Sequence, residues 1–178
     1  MEKGKIIGIV AILAIIIIVG AVVGVVLLVD PCANEEAVLK ISGDGVKEET
    51  DLSLCNLQQN KYDHVENKEF DWRNNANFTG ADQFTGVVIW DLLKGLVNDD
   101  AENLEAEVIA SDGYSRSLDL SLFESGAEDV ILAYGGEDFD SEEDGNLRLV
   151  IDLSLYDEGE ANTKYWVSNI VEINISVK

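Results

Sequence analysis

The chain opens on a block in which hydrophobic and polar positions do not alternate at all. From Ile6 to Val29 every side chain is Ile, Val, Leu, Ala or Gly, an unbroken apolar run of 24 residues. About 20 such residues cross the hydrocarbon core of a bilayer as a helix, and a helix with no polar side has no face to turn toward water. The run is longer than the apolar region of a cleaved secretory signal, and Val29-Asp30-Pro31 is a poor cleavage site. The pattern therefore predicts an uncleaved transmembrane anchor over residues 6–29. Lys3 and Lys5 precede it and Asp30, Glu35 and Glu36 follow it, which places residues 1–5 in the cytoplasm and Asp30–Lys178 outside.

Past a polar linker over residues 30–36 the period changes. Ala37–Ser42 alternates as a strand and is closed by Gly43-Asp44-Gly45. Residues 46–83 read as polar and irregular, with Leu52, Leu54, Leu57, Phe70 and Trp72 as scattered apolar anchors. Phe84-Thr85-Gly86 reads as a turn, and Ile89, Leu92, Leu93 and Leu96 fall at helical spacing within Val87–Val97. Leu104–Ala110 and Ser115–Leu120 predict a hairpin about the Asp112-Gly113 turn signal. Asp129–Tyr134 and Leu147–Asp152 follow as apolar strands, with Tyr165, Val167, Val171, Ile173 and Ile175 on one face of a closing strand. Many short strands with one or two helices predict an α+β domain around a mixed β-sheet over residues 37–178.

Charge sharpens the division. Glu2 is the one acid, and Lys3 and Lys5 the only bases, ahead of Asp30. Residues 30–178 thus hold 34 of the 35 acids and 10 of the 12 bases, a formal charge of −24. Phosphate backbones need a basic stripe, so a nucleic-acid surface is excluded, and so is docking of this part on anionic lipid headgroups. His64 is the single histidine and stands in a polar stretch without a nucleophile elbow, which leaves neither a hydrolase triad nor a zinc ligand set legible. Nucleotide-binding glycine loops are missing from the sequence. Carboxylates are so abundant that no pair stands out as a glycosidase dyad.

A few local patterns carry candidate chemistry. Asp138, Asp140, Glu142 and Asp144 put oxygen ligands at alternate positions ahead of Gly145, as a calcium loop does. The glycine comes too late for an EF-hand, and a solvated hairpin loop is the alternative. Gly20 and Gly24 form a GxxxG through which two anchors could pack as a dimer. Lys3-Gly4-Lys5 before an apolar helix is similar to a pilin leader, without the acid that pilins carry inside the helix. Cys32 and Cys55 are the only cysteines and neither belongs to a CxxC. Cys32 sits where a lipidated cysteine would follow an anchor, but Asp30-Pro31 departs from a lipobox. A Cys32–Cys55 disulfide worth about 3 kcal/mol, lipidation of Cys32, and free thiols stay open. Asn77-Phe78-Thr79 and Asn174-Ile175-Ser176 are glycosylation acceptor triads, of which Asn77, in the polar stretch, is the better placed.

From Phe84 onward the segments fall into a familiar order. Phe84-Thr-Gly-Val-Val-Ile-Trp-Asp-Leu-Leu93, the hairpin Ala110-Ser-Asp-Gly-Tyr-Ser115 with Ser117-Leu-Asp-Leu120, and Ile131-Leu-Ala-Tyr134 with Gly136-Glu137 come first. Gly145-Asn-Leu-Arg-Leu-Val150, Lys164-Tyr-Trp-Val167 and Ile170-Val-Glu-Ile173 close the series. Over residues 84–175 this order resembles the sulfite-oxidase-type molybdopterin-binding domain. Leu39-Lys-Ile-Ser-Gly43 and Leu52-Ser-Leu-Cys-Asn-Leu57 resemble its opening. The resemblance implies that family's fold and a molybdenum-pterin cofactor ligated by a cysteine thiolate between the opening and the Phe84 element. Here that stretch, Tyr62 to Asn77, contains no cysteine and offers only Lys68 and Arg73, beside Lys61, among four acids.

The expected function is a membrane-anchored, outward-facing domain of this type that binds a ligand or partner without redox chemistry. The alternatives are an active molybdopterin-dependent oxidoreductase with atypical cofactor ligation and a pilin-like or adhesive surface protein.

Overall fold

The computed structural model describes residues 31–98 and 100–178. The expected anchor at 6–29, with Gly20 and Gly24, lies outside the described residues. Among those described, no helix is long and apolar enough to cross a membrane. The chain divides into two units, Met1–Asn34 and Glu35–Lys178, and the fold belongs to the second.

That unit is a mixed α+β domain. Among the described residues nine strands form two sheets, with three short helices between them. The first sheet has the order β2 (Thr50–Ser53), β1 (Ala37–Ser42), β9 (Ile170–Val177), β5 (Leu104–Ala110) and β6 (Ser115–Asp119). Its pairings are antiparallel except β1 with β9. The second is the antiparallel sheet β3 (His64–Arg73), β4 (Thr79–Val88), β7 (Val130–Gly135) and β8 (Arg148–Ile151). The helices are α1 (Leu54–Leu57), α2 (Ile89–Leu93) and α3 (Leu120–Gly126). One continuous apolar core draws on both sheets and on α2 and α3, with Phe70, Phe84 and Phe123 fully buried.

The regular hairpin of β5 and β6 and the strands β1, β7 and β8 lie where alternation and apolar runs predict them. The stretch 46–83 is a correction: it holds β2, α1, β3 and the first half of β4. Its pattern looks irregular because β3 carries a bulge between Val65 and Lys68, where Asn67 takes φ 44°. Both Val65 and Phe70 face the core, five residues apart, so the period of two is broken within one strand. Phe84-Thr85-Gly86 is likewise strand, not turn. Gly86 is there for close approach: a Cβ would stand 2.4 Å from the Leu132 carbonyl oxygen on β7. The helix expected over Val87–Val97 shrinks to α2, and Tyr165 and Val167 precede the closing strand. In β9 a register shift opposite Ala110 turns Ile170 inward and leaves Val171 42% exposed.

The outer edges of β3 and β8 are joined by side chains rather than by strand pairing. Asn162, fully buried, accepts at Oδ1 from the Arg73 N–H (2.7 Å) and donates from Nδ2 to the carbonyls of Asp71 (3.0 Å) and Ile151 (2.8 Å). Asp152 adds an acceptor for the Asp71 N–H at 2.8 Å. Replacing Asn162 with Ala takes their side-chain partner from the half-buried Arg73 N–H and the Asp71 carbonyl, bonds worth about 0.5–1.5 kcal/mol each. Urea denaturation followed by tryptophan fluorescence should show Asn162→Ala losing about 1–3 kcal/mol. A loss no larger than that of an exposed asparagine variant would deny the amide this closing role.

Candidate functional site

Two of the segments singled out in the sequence meet at one cleft of about 320 Å³, lined by Ala110, Ser111, Asp112, Tyr114, Trp166, Ser168 and Asn169. One wall is the β5–β6 turn. The Asp112 carboxylate accepts the Tyr114 N–H at 2.9 Å, and the Gly113 N–H reaches the Ala110 carbonyl at 3.0 Å. This local hydrogen bonding is what makes an Asp-Gly pair a turn signal. The opposite wall is the chain from Lys164 to Asn169, fastened by the Ser111 N–H donating to the Asn169 carbonyl at 2.9 Å. Arg116 ties the two walls: its Nε donates to the Lys164 carbonyl at 3.1 Å, and its guanidinium lies 4.7 Å from the centre of the exposed Tyr114 ring.

Behind the cleft stands a buried ion pair. Arg148 Nη1 donates to Asp144 Oδ1 at 2.7 Å, and the Ser168 hydroxyl donates to the same oxygen at 3.1 Å. Asp144 Oδ2 accepts the Asp140 N–H at 3.1 Å. The Arg148 guanidinium lies 5.0 Å from the Trp166 ring centre and 5.5 Å from that of Phe84, rings that themselves meet edge to face. Burying a carboxylate is tolerable only with a cation and further donors, and Asp144 has both. Gly145 turns the loop at φ 69°, where a Cβ would collide with the Asn169 side chain.

The four acids of the candidate calcium loop therefore divide. Asp138 accepts the Gln83 N–H at 2.7 Å, Asp140 the Glu142 N–H at 2.9 Å, Glu142 is exposed, and Asp144 holds Arg148. Among the described residues no group of three or more His, Cys, Asp or Glu is placed to hold a metal ion. Cys32 and Cys55 are both disulfide-bonded and neither is a free thiol. Asn77 lies exposed in the β3–β4 turn, whereas Asn174 is inside β9.

His64 is a correction to the polar-stretch reading, since it opens β3 half-buried. Its Nε2 lies 3.1 Å from the Gln59 carbonyl and its Nδ1 3.0 Å from the Tyr134 hydroxyl. A carbonyl can only accept, so Nε2 is the donor toward Gln59, while the Tyr134 hydroxyl meets the other ring nitrogen. Burial, with Glu66 nearby, holds the Tyr134 phenol above its usual range and keeps it a donor.

A larger cleft of about 660 Å³ is lined by Lys47, Trp90, Lys94, Asp100, Glu102 and Glu124, among others. Its cations are already engaged, Lys94 by Asp91 and Lys47 by the Gly95 carbonyl. The hydrogen bond from Lys94 holds the Asp91 carboxyl below the usual carboxylate range. The smaller cleft instead sets the Tyr114 and Trp166 rings beside polar groups held in place, the Ser168 hydroxyl by Asp144 and the Asn169 amide by the Glu143 carbonyl, a mixture of ring faces and fixed polar groups of the kind that lines small-molecule sites. Arg116 and Asn162 had no sequence signal, while Asp144 and Arg148 stood four apart as an opposite-charge pair about a glycine.

No family model matches this chain, and neither does any curated protein.

Arg148→Met leaves the Asp144 carboxylate buried without a cation, and the expected loss of unfolding free energy is about 3–5 kcal/mol. Adding Asp144→Asn should return part of it. A loss in the single variant of under about 1 kcal/mol, the scale of an exposed pair, would refute the buried-pair description.

Proposed function

We propose that this chain is a membrane-anchored, outward-facing binding domain, built on a sulfite-oxidase-type scaffold and working without redox chemistry. One observation carries the reading: both cysteines are consumed in disulfide linkage. Thiolate, not disulfide, is the soft ligand that molybdenum takes. Residues 62–77 contain no other sulfur, and they run along β3 into its hairpin. Of the two basic side chains there, Lys68 is held by Asp129 at 2.6 Å, and Lys61 just ahead of the stretch lies over the Tyr62 ring. A pterin phosphate would enter an acidic field with little to receive it. The residues present thus do not fit a thiolate-held molybdenum-pterin centre.

On this reading the cleft between Tyr114 and Trp166 is the recognition surface. It is assembled from segments that the resemblance assigns to the scaffold, and a scaffold outlasts one of its chemistries more readily than it acquires a new core. Disulfide linkage also agrees with an oxidising exterior.

Protein purified from its own host should contain neither molybdenum nor tungsten in stoichiometric amount, and should show no reactive thiol before reduction and two after. About one molybdenum or tungsten per chain would overturn the reading in favour of an oxidoreductase with atypical ligation. For the orientation, protease added to intact cells should digest residues 37–178 and spare the N-terminus. A domain that is cut only after lysis, while a known surface protein is cut before it, would place it inside.

A further inference from the structure

The tip of the β3–β4 hairpin presents an asparagine whose backbone shapes the turn and whose side chain is left to solvent. The turn at 74–78 is held by Asn74, whose side chain accepts the N–H groups of Ala76 (2.9 Å) and Phe78 (3.1 Å). The Asn74 N–H closes the turn onto the Phe78 carbonyl at 2.9 Å. Asn77 takes the left-handed conformation, φ 63°, which asparagine tolerates better than most residues. It is exposed, and its carboxamide has no hydrogen-bond partner among the described residues. Phe78 beside it is 68% exposed, and Thr79 begins β4 with its side chain in solvent. Asn77, Phe78 and Thr79 thus form an acceptor triad at the least encumbered point of the hairpin.

The second triad is placed in the opposite way. Asn174 lies within β9, a central strand paired on one side with β1 and on the other with β5. Its Nδ2 donates to the Ser42 hydroxyl at 3.0 Å. A transferase would have to strip β9 out of the sheet to reach it.

We propose that Asn77 is the N-glycosylation site of this protein and that Asn174 is not one. The inference rests on the outward orientation proposed above. Asn77 Nδ2 forms a bond to the anomeric carbon of a polyprenyl-phosphate-linked oligosaccharide. The bond from that carbon to the phosphate oxygen breaks, the lipid phosphate leaves with the electron pair, and one amide proton is released. No group is oxidised or reduced. The Thr79 hydroxyl is the recognition element two positions on.

The test is the mass of the peptides bearing Asn77 and Asn174 in the full chain purified from its host's membranes. Sugar is expected on Asn77 alone, lost in Asn77→Gln and Thr79→Ala and retained in Thr79→Ser. An unmodified Asn77 peptide, or sugar on Asn174, overturns the assignment. Glu48→Asn completes a further triad with Glu49 and Thr50 on an exposed bend. Sugar there with none at Asn77 overturns the site and leaves the orientation standing. Sugar at neither position, in a domain that external protease cannot reach, overturns both.

Discussion

Asn162 does in this domain what an eighth pairing of strands would otherwise have to do. Its side chain, not a backbone ladder, bridges β3 and β8, the first and last strands of the four-stranded sheet. Edge N–H and carbonyl groups thereby find partners, and leaving such a group unpaired away from water costs about as much as a lost hydrogen bond. A carboxamide is the one neutral side chain that carries both an acceptor and two donors. Asn162 spends all three on Arg73, Asp71 and Ile151. Because it belongs to the segment after β8, its fixed position also sets where Lys164 to Asn169 can run. The Trp166 N–H anchors the same segment to the Ile151 carbonyl at 2.8 Å. The wall of the cleft is therefore a consequence of how the sheet is closed.

The parts of this fold that sequence reading recovers are those in which one rule holds from end to end. β5 and β6 alternate cleanly about an Asp-Gly turn, and their bounds were legible to within a residue. Where the backbone breaks its own period, the reading fails for the same physical reason each time. The bulge at Asn67 puts Val65 and Phe70 on one face at an odd spacing, so a ten-residue strand looks like loop. Gly86, normally punctuation, is a packing residue inside a strand. The register shift opposite Ala110 resets the alternation inside β9, so Val171 turns outward. At the site, the segments were visible singly but not their meeting, because contacts such as Arg116 to the Lys164 carbonyl span 48 residues and leave no local trace. Asp144 shows the limit most plainly: as text it is one more acid in an acidic run, and in the fold it is the buried partner of Arg148.

In a domain with so many acids, each cation is a scarce resource, and where it is spent has structural meaning. Lys178 reaches Asp119 at the end of β6, Lys68 reaches Asp129 ahead of β7, and Lys40 reaches Glu49 across the β1–β2 turn. These pairs are partly exposed, so each contributes little. Their value is placement, since Lys178 and Lys68 join elements far apart in sequence. Arg116 is different. It is turned to a carbonyl and a tyrosine ring, and so ties the two walls of the cleft together.

The same excess of acid gives pH two opposed effects. Hydrogen bonds from Lys94, Lys178 and Lys164 hold the Asp91, Asp119 and Glu160 carboxyls below their usual range. For such groups the folded state binds protons less readily than the unfolded chain. Their contribution is complete above the ordinary carboxylate pKa and is lost as pH falls through the lowered values. The many acids without a cation repel one another, and protonating them relieves the compact state. Only stronger acid reaches Asp91, Asp119 and Glu160, because their lysine partners hold the protons off. Salt acts on the repulsion far more than on the buried Asp144–Arg148 pair, because screening weakens exposed charges and barely touches enclosed ones. An acidic surface over a core pinned by a few enclosed polar groups is thus built to gain, not lose, from ions in its surroundings.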